Sequence, residues 1–232
     1  VLGRWGKEIL PDIGKLVRTE KDPIVRSAVA SAIGWMTLEE FPAELEVLIN
    51  DEDCYVRDAA FSAVCAFAER EPPDAASEKA TKILLAVLSD RKSNLRSDAA
   101  FSLAGPGRLH FDAFPVLKRS LETDPDQGVK LHVTSALLWI YVDSKPESEE
   151  AAAQILQALE GFLTGGQEER FRLAVIEKIG AFGLESTLPL LKKVERDSSP
   201  AVREAAAKAR RDIARQRSSA NVPIDPFTYS RE

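Results

Sequence analysis

The sequence predicts an all-α chain built as a solenoid of about six stacked helical hairpins. Three observations carry this prediction. An acidic or polar turn, a Val-Arg step and small apolar residues recur: Asp22-Pro23-Ile24-Val25-Arg26, Asp53-Cys54-Tyr55-Val56-Arg57 and Ser199-Pro200-Ala201-Val202-Arg203. The marker cations Arg26, Arg57, Arg96, Lys130, Arg172 and Arg203 stand about 35 residues apart on average, a period typical of helical-hairpin repeats. No strand-like alternation of useful length interrupts them. Alanine is frequent and only 12 of 232 residues are glycine, which favours helix.

Each element follows from local chemistry. Glu8 to Val17 places Ile9, Ile13, Leu16 and Val17 at helical spacing, with Pro11 tolerable in a first turn. Residues 1–7 read as the end of an earlier element or a frayed start. Asp22 can cap the next helix, and Pro23 suits its first position. The hairpins are expected at residues 8–36, 38–69, 75–104, 112–141, 146–182 and 184–216. In the third, Ile83, Leu84, Val87 and Leu88 form the expected buried stripe.

The strongest internal break is Gly105-Pro106-Gly107. It is expected to end a helix rather than divide two domains, because the pattern resumes directly, giving one array over residues 1–217. Residues 218–232 hold two prolines and polar punctuation, and read as an extended tail. In that tail Val222, Ile224, Phe227 and Tyr229 are available to dock on the last repeat or on a partner.

One register is ambiguous. Asp98-Ala99-Ala100-Phe101-Ser102 repeats Asp58-Ala59-Ala60-Phe61-Ser62 literally. Aligning the two copies puts Ser97, not Arg96, at the marker position.

Composition narrows the function classes. Hydrophobic residues make up 44% and charged residues 29%, which fits a folded chain. The net charge of −6 disfavours a grip on many nucleic-acid phosphates. No apolar run approaches the roughly 20 residues of a membrane span. Cys54 and Cys65 lie in one predicted helix, too far apart to bridge, and fit a reducing, cytoplasmic setting. No signal peptide is visible in these residues.

Asp22-Pro23, Val25-Arg26, Asp53, Val56-Arg57, Pro200 and Val202-Arg203, with closing steps at Ile33-Gly34 and Ile179-Gly180, resemble HEAT repeats. They look most like the short HEAT-like repeats of phycobilisome lyases. The resemblance covers about residues 8–216. It implies a right-handed superhelix with first helices outside and second helices lining a concave side. It also implies that the recurring acids and arginines pair within and between repeats. The structural ladder expected on that basis is Asp22, Arg26, Asp53, Arg57, Arg172 and Arg203.

Chemistry of other kinds is not signalled. His110, His132, Cys54 and Cys65 have no metal-ligand spacing. No Gly-rich phosphate loop or nucleophilic triad is present, and neither cofactor nor metal is expected. Trp35 and Trp139 fall at equivalent places, which suggests helix-end packing between repeats. The expected function is a non-enzymatic scaffold that binds a protein or peptide on the second-helix surface. The candidate contacts are Tyr55, Asp58, Phe61, Arg96, Thr134 and Glu177. A bilin-lyase-like or lyase-accessory role is the alternative. A HEAT-like DNA glycosylase is third, and the acidic balance counts against it.

Overall fold

A computed structural model describes residues 2–36, 38–70, 72–91, 93–105, 109, 111–143 and 149–218. For residues 2–7, 111, 217 and 218 it describes the backbone alone. The expected tail with Val222, Ile224, Phe227 and Tyr229, the start of the fifth hairpin at Pro146, and His110 lie outside the described residues. Every regular element among those described is helical. Contacts group the chain into two compact units, Val1–Arg108 and Leu109–Glu232. The boundary falls beside Gly105-Pro106-Gly107, where the sequence placed only a helix end.

The first unit holds α1 (Leu2–Thr19), α2 (Pro23–Trp35), α3 (Ala43–Leu48), α4 (Cys54–Ala68), α5 (Ala75–Ser89) and α6 (Arg96–Leu103). α1 packs on α2 and α3, and α2 lies along α4. α4 in turn meets α5 and α6. Leu45, Leu48, Val56, Phe67, Leu84 and Leu88 form its core. Full burial of such a side chain contributes about 1.5–3 kcal/mol relative to exposure.

Capping explains where these helices start. The Asp22 carboxylate accepts from the Ile24 N–H, and the Asp53 carboxylate accepts from Tyr55 and Val56. Asp74 and Ser77 form a reciprocal capping box at α5. Two starts differ from expectation. α1 begins at Leu2 and contains Pro11, so its first turn lies earlier than Glu8. α3 begins only at Ala43, because Pro42 disfavours helical backbone at Phe41 before it. Phe41 and Pro42 are buried nonetheless, and the Phe41 ring meets Phe67 edge-on at 5.2 Å.

The second unit holds a short 3-10 turn (Phe111–Ala113), then α7 (Phe114–Thr123), α8 (Gln127–Asp143), α9 (Glu149–Thr164) and α10 (Glu169–Phe182). A second 3-10 turn (Glu185–Thr187) leads to α11 (Leu188–Val194) and α12 (Pro200–Ser218). It has two layers. α7, α9 and α11 pack in one, and α8, α10 and α12 in the other. Leu117, Val133, Leu137, Leu159, Ile176, Leu191 and Ile213 fill the space between. α10 ends on Gly183 at φ +66°, a left-handed cap that suits glycine.

Second helices approach closely at two places. A Cβ on Gly34 would stand 3.0 Å from the Ala63 Cβ, across α2 and α4. A Cβ on Gly180 would stand 3.2 Å from the Ala209 Cβ, across α10 and α12. Both closing-step glycines therefore act as contact points between neighbouring repeats, and each meets its alanine the same number of residues further on.

Candidate partner-binding face

The recurring arginines are committed to the turns. Arg26 donates from Nε and Nη2 to the two oxygens of Asp51, at 2.7 and 2.8 Å. Its Nη1 reaches back to the carbonyls of Glu20 and Lys21. Arg57 donates from Nη1 to the carbonyls of Asp51 and Glu52, at 2.7 and 2.8 Å. The turn before α4 thus receives one arginine on its carboxylate and another on its backbone. The turn before α12 repeats this arrangement. Arg172 donates to Asp197 Oδ1 at 3.0 Å and to the Gln167 carbonyl, while Arg203 donates to the carbonyls of Asp197 and Ser198.

The acid that meets the arginine is not the one that caps the helix. Asp51 and Asp197 each also accept from the N–H two residues on, at Asp53 and Ser199. Asp53 and Ser199 then cap the following helices. The sequence signal for this division of labour is Asp-x-Asp or Asp-x-Ser: Asp51-Glu52-Asp53, Asp124-Pro125-Asp126 and Asp197-Ser198-Ser199. Arg26 holds Asp51 below the usual aspartate range, chiefly through the side-chain hydrogen bonds and against the opposing effect of burial. Asp51 correspondingly raises Arg26. In α10, burial pushes Lys178 below the ordinary lysine range.

Burial settles the register of α6. Ala99 and Ala100 are buried, Phe101 is exposed, and Ser102 and Leu103 are buried. The same sequence of environments runs through Ala60, Phe61, Ser62, Ala63 and Val64 in α4. Arg96, which donates to the carbonyls of Arg91 and Ser93, is therefore the counterpart of Arg57. The literal Asp-Ala-Ala-Phe-Ser match is one residue out of phase. Phe61 is 3% exposed and Phe101 is 58% exposed, although they sit in identical pentapeptides.

The expected contacts divide accordingly. Tyr55 is 76% exposed on α4, and Asp58 stands exposed one turn further on. Phe61 faces the core and offers no surface to a partner. Thr134 is fully buried, and its hydroxyl donates to the Lys130 carbonyl at 3.0 Å, so it too is excluded. Arg96 is half-buried against its turn. Glu177 is exposed on α10, in the second unit. It lines a groove of about 480 Å³ between α10 and α12 with Leu173, Ile176, Ala205 and Lys208.

The tryptophans also diverge. Trp139 packs edge-on against Phe182 at 5.0 Å, from α8 to α10. Trp35 does not pack between helices: it is 86% exposed at the end of α2. Ile24, about three helical turns earlier, is exposed on the same side. A helical wheel of α2 places Ile24 and Trp35 together, which is the signal that would have nominated both. Ile24, Trp35, Tyr55 and Phe101 are thus widely exposed apolar side chains on the first unit's second helices.

Among the described residues, no cluster of His, Cys, Asp or Glu is placed to hold a metal ion. No described helix is long and apolar enough to cross a membrane.

Comparison with known proteins supports the repeat reading. Residues 41–138 match the family model described as HEAT repeats. No curated protein matches the chain. Its fold resembles a crystal structure of an engineered protein, with a TM-score of 0.52, 20% identity, and coverage of 88% of this chain and 97% of that one. It also resembles a designed armadillo repeat protein, with a TM-score of 0.53, 14% identity, and coverage of 88% and 99%. Residues 41–138 are thus similar to HEAT repeats, and the all-helical fold is similar to that of a designed armadillo repeat protein.

Proposed function

We propose that this chain is a non-enzymatic scaffold that binds another protein or a peptide through its second helices. The observation that carries this reading is the exposed apolar face of α2, α4 and α6. Exposed large apolar side chains usually scatter singly on a surface. Ile9 on α1 and Val47 on α3 are exposed as well, but the four most exposed large apolar side chains among the described residues, Ile24, Trp35, Tyr55 and Phe101, all belong to second helices of the first unit. Aromatic side chains of this kind are the usual anchors of an interface. In the second unit, Glu177 beside the α10–α12 groove is a further contact under this proposal.

A photo-reactive benzoylphenylalanine placed at Tyr55 tests the proposal in the cell of origin, with one placed at Glu78 on α5 as the control. A discrete crosslinked product at position 55, absent at position 78 and lost when Trp35 and Phe101 are changed to Ser, supports it. Equal products at both positions, or products indifferent to the two serines, overturn it.

A further inference from the structure

We infer that the second-helix face of the first unit takes a segment in which lysine or arginine alternates with apolar side chains. This inference rests on the scaffold reading above and names the chemistry of the partner. The apolar anchors occupy two levels on the face. Ile24 and Tyr55 share the level nearest the turns, each two residues before its arginine. Phe101 and Trp35 lie further along their helices. Between these levels stand Asp58 and Asp98, both exposed. Neither has an ion pair among the described residues.

The cations that would neutralise those carboxylates are held elsewhere. Arg26 is bound to Asp51, and Arg57 and Arg96 point back to the carbonyls of the turns. The face is therefore apolar at its two levels and acidic between them. A partner with apolar side chains alone would bury Asp58 and Asp98 without compensation, which costs free energy. A partner with cations between its apolar groups would satisfy both.

The spacing follows from geometry. Neighbouring packed helices lie about 8–10 Å apart. An extended segment crossing them advances about 3.3 Å per residue. Because only every second side chain of an extended segment turns to the face, cations answering Asp58 on α4 and Asp98 on α6 would be about two or about four residues apart.

The test is selection of a phage-displayed random dodecapeptide library on the full chain, run in parallel on two variants. The wild type should select sequences enriched in Lys or Arg beside Trp, Phe, Leu or Ile. D58N/D98N should select the apolar residues without the cations. A selected peptide, measured by fluorescence anisotropy, should lose about fivefold in affinity on D58N/D98N, as expected for two exposed charge pairs. Enrichment without cations on the wild type, or an unchanged affinity on D58N/D98N, overturns the charge inference and leaves the scaffold reading standing. If W35S/Y55S/F101S selects the same peptides as the wild type with the same affinity, the scaffold reading falls as well. Concentration-dependent dimers in analytical ultracentrifugation that W35S/Y55S/F101S abolishes would assign the face to a second copy and overturn the inference. Circular dichroism melts confirm that each variant is folded.

Discussion

Gly34 lies so close to Ala63 that a methyl group on the glycine would stand 3.0 Å from the alanine Cβ and 3.1 Å from its Cα. A flexible side-chain end could move aside, but the Cα belongs to the α4 backbone. Gly34→Ala is therefore expected to destabilise the protein by about 1 kcal/mol, the cost of overpacking outweighing alanine's better helix propensity. Ala63→Gly alone should cost about the same, through propensity. The double variant moves the methyl from one helix to the other, so the two effects should fall short of their sum. A double-mutant cycle by urea denaturation measures that coupling.

Phe61 and Phe101 provide a sharp contrast within one repeated pentapeptide. Phe61→Ala should cost about 3–5 kcal/mol, as expected for a buried aromatic. Phe101→Ser should stay within about 1 kcal/mol. Equal losses would mean that the α6 register follows the literal sequence match, not the arginine.

Acid should act on the Arg26–Asp51 joint. Asp51 is held below the 3.8 of an ordinary aspartate, first by its hydrogen bonds from Arg26. A carboxylate whose pKa is depressed by folding adds stability above its unfolded value and loses it as the pH falls through the folded value. The difference in Tm between wild type and Asp51→Asn should therefore be full near neutrality and shrink between about pH 5 and about pH 2. Asp58→Asn is the control. It should shift stability by no more than about 0.5 kcal/mol at neutral pH, because Asp58 is an exposed carboxylate.

Arg57 ties its own helix to the preceding turn through two carbonyls. Arg57→Ala should lower stability by about 2 kcal/mol, the scale of hydrogen bonds made by a charged group. Loss of partner binding with an unchanged Tm would contradict this structural role. The measurement is a thermal melt beside a binding assay on the same preparation.

Gly183 caps α10 at φ +66°. Gly183→Ala should cost about 1 kcal/mol, because an L side chain is strained in that region. Differential scanning calorimetry would register it as a lowered Tm of the whole chain.

The helices were legible because their boundary chemistry is local. Asp22, Pro23 and Asp53 announce helix starts from a few neighbouring atoms, and the structure uses them so. The face was less legible because exposure depends on helix phase as well as residue type. Phe101 shows this: its sequence neighbours match those of Phe61, and only the one-residue shift at Arg96 turns it outward. Thr134, expected as a contact on the second-helix surface, is buried instead, and its hydroxyl is satisfied within α8. Asp51 escaped notice because the partner of Arg26 lies 25 residues away. Nothing local distinguishes it from Asp53, except its place two residues before the cap.

The Arg57 and Arg203 joints end on backbone oxygens, and every amino acid supplies one. Glu52 and Ser198 occupy equivalent places under those arginines and share nothing in their side chains. The linkage constrains the path of the chain and leaves the middle residue free to vary. The seam to the neighbouring hairpin is more exacting: there Arg26 and Arg172 reach the carboxylates of Asp51 and Asp197, so a grafted or diversified hairpin keeps its place only if that one acid is kept.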